Sequence, residues 1–168
     1  MNRYLLCFAA LQFAMCSAFA GVAKVNWQDS DHYADIRPTN ETQAGFQSRV
    51  FKEFENMFDK MAKKLPDGYK LQVNVTDLDL AGEVWPMHRA AGRDIRIVRD
   101  IDWPRISFTY VLKDSQDKEV ASGKEDLADM NFRARPNIRS GMDGFGYEEN
   151  MLNDWFSAKQ RNKEFPLR

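Results

Sequence analysis

Apolar residues recur at intervals of three and four from Phe46 to Leu65, taking in Val50, Phe54, Met57, Phe58 and Met61. That interval sets them on one face of a helix, with Gln47, Lys52, Glu53, Lys60 and Lys63 around the rest. Pro66, Asp67 and Gly68 supply its stop. Ahead of the helix, Val22 to Trp27 alternates, setting Ala23, Val25 and Trp27 against Val22, Lys24 and Asn26, as a half-buried strand does. Behind it, Leu71, Val73 and Val75 alternate with Lys70, Gln72 and Asn74. The parity then changes, because the next apolar positions are Leu78 and Leu80. The strand therefore either bulges near Thr76 and Asp77 or ends there.

Three further strands follow. Asp94 to Arg99 points Ile95 and Ile97 inward, and Ile106 to Leu112 alternates over a longer run. A polar turn at Asp114 to Lys118 leads into a returning arm, Glu119 to Leu127. Asp129 to Gly146 has no period and reads as a loop. Tyr147, Met151, Leu152, Trp155 and Phe156 mark a second amphipathic helix, with Lys159, Arg161 and Lys163 suiting the negative end of its dipole. The order β-α-β-β-β-β-α predicts an α+β fold, a mostly antiparallel sheet of about five strands with both helices on one face. The strand–helix–strand opening predicts that the first two strands run parallel and adjacent.

Residues 1–20 have a different pattern. Arg3 precedes an apolar run from Tyr4 to Met15, and Ala18-Phe19-Ala20 places small residues where a signal peptidase inspects them. The run is shorter than the roughly 20 residues that cross a bilayer. The expectation is a leader cleaved after Ala20, a periplasmic destination, and one α+β domain over residues 21–168 with no integral membrane segment. Cys16 follows Met15, not the small residue that lipid attachment requires. Cys7 and Cys16 are the only cysteines and both leave with the leader, which excludes disulfides, thiolate nucleophiles and cysteine metal sites from the remainder.

The formal net charge is −1, and losing Arg3 lowers it by one. A near-neutral domain has no long-range field to gather nucleic acid, so none is expected as a partner. All four tryptophans lie beyond the leader, ample apolar payload for a folded core.

Candidate chemistry is sparse. Asp77 and Asp79 stand two apart at a strand end, with Glu83 returning after Gly82. Such carboxylates can hold a cation or act as acid and base; equally, they can accept backbone hydrogen bonds in a polar turn. His32 and His88 are the only histidines and share no ligand spacing. No serine sits in a Gly-x-Ser-x-Gly turn, and no glycine loop cradles phosphate. The stretch from Trp85 to Arg105 interleaves Trp85 and Trp103 with Arg89, Arg93, Arg96, Arg99 and Arg105. Guanidinium forks beside indoles grip carboxylates, phosphates or sugars, whereas Asp94, Asp100 and Asp102 equally fit a self-neutralised strand edge. The binding candidates are Trp85, Arg96, Trp103, Asp77 and Asp79. No catalytic residue, metal ligand or cofactor is assigned.

Five phrases in order, VNWQDSDHYADIRP, VTDLDLAGE, RDIRIVRDIDWPRISFTY, KEDLADMNF and YEENMLNDWF, span Val25 to Phe156. Together they resemble the exported bacterial family known as domain of unknown function 3016. The resemblance implies a small periplasmic or envelope protein and no particular activity. Its matching positions here are Asp77, Asp79, Gly82, Asp94, Arg96, Trp103, Pro104, Asp126, Asp129 and Asn131. Two function classes follow: a non-enzymatic envelope module that binds a protein partner or a small polar ligand, and a metal-assisted hydrolase on Asp77, Asp79 and Glu83.

Overall fold

The computed structural model describes residues 20–90, 93–134 and 144–168. Residues 1–19, read above as a leader, Arg135, Arg139, and the side chains of His88, Arg89 and Arg93 lie outside the described residues. Strand β1 (Val22–Trp27) leads through helix α1 (Gln43–Ala62) to β2 (Lys70–Asp79), β3 (Glu83–Ala90) and β4 (Arg93–Ile97). Strands β5 (Arg105–Lys113) and β6 (Glu119–Ala128) precede helix α2 (Gly146–Arg161). The class is α+β and the order of elements follows the pattern, with one strand, β3, that the alternation did not reveal.

The main sheet runs β1-β2-β5-β6. β1 lies parallel to β2, and the β2–β5 and β5–β6 pairs are antiparallel. The sheet is thus mixed. A five-stranded sheet does not form, because β4 pairs with β3 in a separate hairpin. Ile95 and Ile97 are accordingly half-buried and not part of the core.

Helix α1 begins where the Thr42 side chain accepts the Gly45 N–H at 3.2 Å, an N-cap that satisfies one orphan donor. Phe46, Val50, Phe54, Met57, Phe58, Met61 and Ala62 are all buried on its inner face. Leu71, Val73, Val75, Phe108, Tyr110 and Leu112 meet them from the sheet. Helix α2 adds Met151, Leu152, Trp155 and Phe156 to the same cluster. Phe108 touches both Phe58 and Trp155 edge-on, at 5.7 and 5.0 Å between ring centroids, so both helices cover one sheet face. Tyr147, expected inward, is half-buried and packs edge-on against buried Phe132. No helix among the described residues is long and apolar enough to cross a membrane.

The change of parity in β2 is a bulge. Pairing with β5 jumps from Val75↔Phe108 to Asp77↔Ser107, leaving Thr76 unpaired. Its hydroxyl donates to the Ser107 carbonyl at 3.2 Å. One extra residue turns Leu78 into the core and sets Asp77 and Asp79 away from it. The bulge therefore aims the carboxylates that matter below.

Candidate functional site

Four separate stretches of chain meet at the end of β2. The chain leaves β1 and returns at Asp35, which forms a parallel bridge to Asp79. Asp35 N–H donates to the Leu78 carbonyl and Leu80 N–H donates to the Asp35 carbonyl, each at 3.3 Å. The turn at Gly82 holds φ at +80°, and a Cβ there would stand 2.6 Å from the Ile97 carbonyl oxygen. Only glycine fits that backbone without strain. Gly82 N–H donates to the Asp102 carbonyl at 3.0 Å, hooking the loop before β5 onto the turn.

Arg96 is the bolt of this corner. Its guanidinium reaches Asp35 Oδ2 at 2.8 Å, the Gly82 carbonyl at 2.7 Å and the Arg37 carbonyl at 3.0 Å. Both side chains of the Arg96–Asp35 pair are largely shielded, with 19% and 13% exposed. Charge-assisted bonds in so sheltered a place are the strong kind. A second bracket stands beside it. Arg99 Nε and Nη2 grip the two Asp102 oxygens at 2.7 and 2.8 Å, and Nη2 also reaches Glu83 at 3.1 Å. The Arg99 hydrogen bond holds the Asp102 carboxyl below the usual carboxylate range. Arg99 also lies over the Trp85 ring, 5.0 Å from its centroid, and Trp85 Nε1 donates to Glu83 at 3.2 Å.

A cleft of about 280 Å³ opens in front of these brackets. Asp35, Arg37, Asp79, Glu83, Asp102, Trp103 and Arg105 line it, with Leu80 and Ile101 as apolar wall. Arg105 lies over the Trp103 ring at 5.0 Å. Its guanidinium stands 3.9 Å from Asp79, the outer limit of an ion pair. Burial raises the Asp79 carboxyl above its ordinary range; Arg105 opposes the shift, while Asp35 and Asp77 add to it. Asp79 and the cations at the mouth are thus less tightly matched than Asp35 with Arg96 or Asp102 with Arg99.

Beneath the corner lies Glu148, the one charged side chain among the described residues that is fully enclosed. Its Oε1 accepts the Ala81 N–H at 2.8 Å, and Oε2 has no hydrogen-bond partner. Burial raises its carboxyl above the glutamate range, and the Ala81 bond only partly offsets this.

The five sequence candidates separate by role. Asp79 and Trp103 line the cleft, Arg96 stands behind it as a clamp, and Trp85 belongs to the Arg99 bracket. Asp77 Oδ1 accepts the Ala34 and Leu78 N–H groups at 3.0 and 2.9 Å, so it fastens backbone. Arg37 and Asp35 were not selected from sequence. Both stand in the phrase VNWQDSDHYADIRP, and the bridge to β2 is what gives them a place. The acidic trio Asp77, Asp79 and Glu83 does not form a metal centre. Among the described residues no three histidine, cysteine or acidic groups converge to hold a metal ion, because Asp77 turns to backbone and Glu83 to Arg99.

Residues 21–158 match the family described as protein of unknown function (DUF3016). The chain belongs to this family. No curated protein and no solved structure matches it. The family positions Asp79 and Trp103 line the cleft, while Arg96 and Gly82 build its floor.

Proposed function

We propose that this DUF3016 chain is a non-enzymatic binding module that takes a small polar ligand into the cleft of Asp79, Trp103, Arg105 and Arg37. One observation carries the reading. Arg96 and Arg99 consume Asp35, Asp102 and Glu83, whereas Arg105 and Asp79 remain 3.9 Å apart beside an indole. Loosely matched charges around an apolar wall are what a ligand can complete. Among the described residues the cleft lining holds no histidine, cysteine, serine or lysine for nucleophilic or base chemistry. Asp35, the nearest second carboxylate, already serves Arg96 through Oδ2 and the Arg37 N–H through Oδ1. The outer sheet face has a larger depression, about 330 Å³, lined by Lys24, Asn26, Gln72, Asn74, Thr109 and Tyr110, but Lys24 is the one charged side chain of that lining, with no carboxylate beside it.

Arg3, the apolar run to Met15 and Ala18-Phe19-Ala20 support export to the periplasm with cleavage after Ala20. Working there, the domain of residues 21–168 would hold its ligand as part of the cell envelope. A thermal-shift screen of small polar compounds on the chain from Gly21 tests the binding role, since a ligand of the folded state raises Tm by mass action. The expected hit raises the Tm of wild type and leaves that of Trp103→Ala unchanged. A hit that stabilises both equally contradicts the site.

A further inference from the structure

We propose that the ligand is a compact zwitterion, an ammonium and a carboxylate on one carbon as in a free α-amino acid. The inference rests on the cleft being a ligand site and adds the chemistry of its occupant. Four arginines, Arg37, Arg96, Arg99 and Arg105, surround it, against four carboxylates, Asp35, Asp79, Glu83 and Asp102. Between the charged groups of the lining and the two clamps behind it the charges balance. A ligand with net charge would leave a surplus in a partly desolvated place, which is costly. A ligand with both charges leaves none.

The charges are also separated in the right sense. Three of the lining carboxylates, Asp35, Glu83 and Asp102, are already paired with Arg96 and Arg99. At the mouth, Asp79 is 28% exposed and Arg105 53% exposed, with 3.9 Å between them. A carboxylate fits the Arg105 fork, and an adjacent ammonium then falls to Asp79. Arg37, exposed on the same lining, has no acidic partner among the described residues and backs the carboxylate side. Size agrees. A volume of about 280 Å³ holds the equivalent of roughly nine waters at about 30 Å³ each, room for one amino acid and not for a long peptide. Trp103, Leu80 and Ile101 offer its side chain an apolar wall.

The test follows the Trp103 indole N–H by NMR in the chain from Gly21, with L-alanine, acetate, methylammonium and a neutral polyol as probes. The expected result is that L-alanine shifts Trp103, and that acetate and methylammonium each need at least tenfold higher concentration. Arg105→Gln and Asp79→Asn each weaken alanine at least tenfold, and Lys24→Ala on the outer sheet face changes nothing. Dispersed spectra of the variants confirm that they fold. Acetate as potent as alanine, with Asp79→Asn silent, overturns the zwitterion and leaves the cleft as an anion site. The polyol shifting Trp103 where alanine does not also overturns the zwitterion while the cleft stands. A Trp103 signal that neither these probes nor any compound of the thermal-shift screen can move overturns both.

Discussion

Trp155 and Trp103 place the same side chain in opposite settings. Trp155 is enclosed by the edges of Phe58, Phe108, Tyr110, Phe156 and Phe165. Its Nε1 has no hydrogen-bond acceptor among the described residues. Trp103 lies at a cleft with a guanidinium over its ring and carboxylates nearby. The inner region is satisfied by apolar contact alone and has nothing left to offer a ligand. The outer corner is held by two arginine brackets and keeps its remaining charges loosely matched. On the proposed reading stability and recognition belong to different parts of the fold, and substitutions can separate them.

The largest effect belongs to the inner region. Trp155→Ala is expected to cost about 3–5 kcal/mol in urea unfolding, because it removes a large ring from the packed centre. Next is the clamp. Arg96→Ala is expected to cost about 3 kcal/mol, since Asp35 is left without its partner in a sheltered position. Arg96→Lys recovers little, as one ammonium cannot reach Asp35 and both carbonyls together. Equal stability of Arg96→Ala and wild type would break the claim that the corner is bolted by this residue.

Gly82→Ala comes third, at about 1–3 kcal/mol, from a positive φ and a Cβ driven into the Ile97 carbonyl. Glu148→Gln separates the two regions by pH. Glu148 titrates higher in the folded chain than unfolded, with Ala81, Arg96 and Asp79 as its neighbours. Its contribution is fully present below the ordinary glutamate range and is lost as pH rises through the raised folded value. The stability of wild type should therefore fall from mildly acidic to neutral pH more than that of Glu148→Gln, which keeps an acceptor for the Ala81 N–H. Parallel pH profiles for the two would remove Glu148 from the account. The smallest stability effect is Trp103→Ala, about 1 kcal/mol or less, paired with loss of ligand response.

The inner region was readable in the sequence because its residues repeat. Six apolar positions at helical spacing in α1, with Leu65 just beyond its end, and clean alternation in β2 and β5, each state which face is buried. The shift from Val75 to Leu78 left a bulge or a strand end open, and the fold has the bulge. Strand β3 escaped because Glu83 to Ala90 mixes charged, aromatic and proline positions without alternation. It pairs only with β4, so no core demands a pattern of it. The cleft was half legible. Asp79 and Trp103 stood out by type, but Asp35 and Arg37 reach the site through a bridge spanning some forty residues, and local spacing carries no trace of that. Arg96 was recognisable as important and not as structural, since nothing in a sequence tells a guanidinium that binds carbonyls of its own chain from one that waits for a ligand. Glu148 was hidden inside an ordinary helical stretch.

The most direct trial of a recognition corner set apart from a satisfied core is to assign the four indole N–H signals. They are then followed while a stabilising compound from the thermal-shift screen is added. Trp103 should move first and furthest, Trp85 less through the Arg99 bracket, and Trp27 and Trp155 not at all. Movement of Trp27 or Trp155 with Trp103 unchanged would contradict the account.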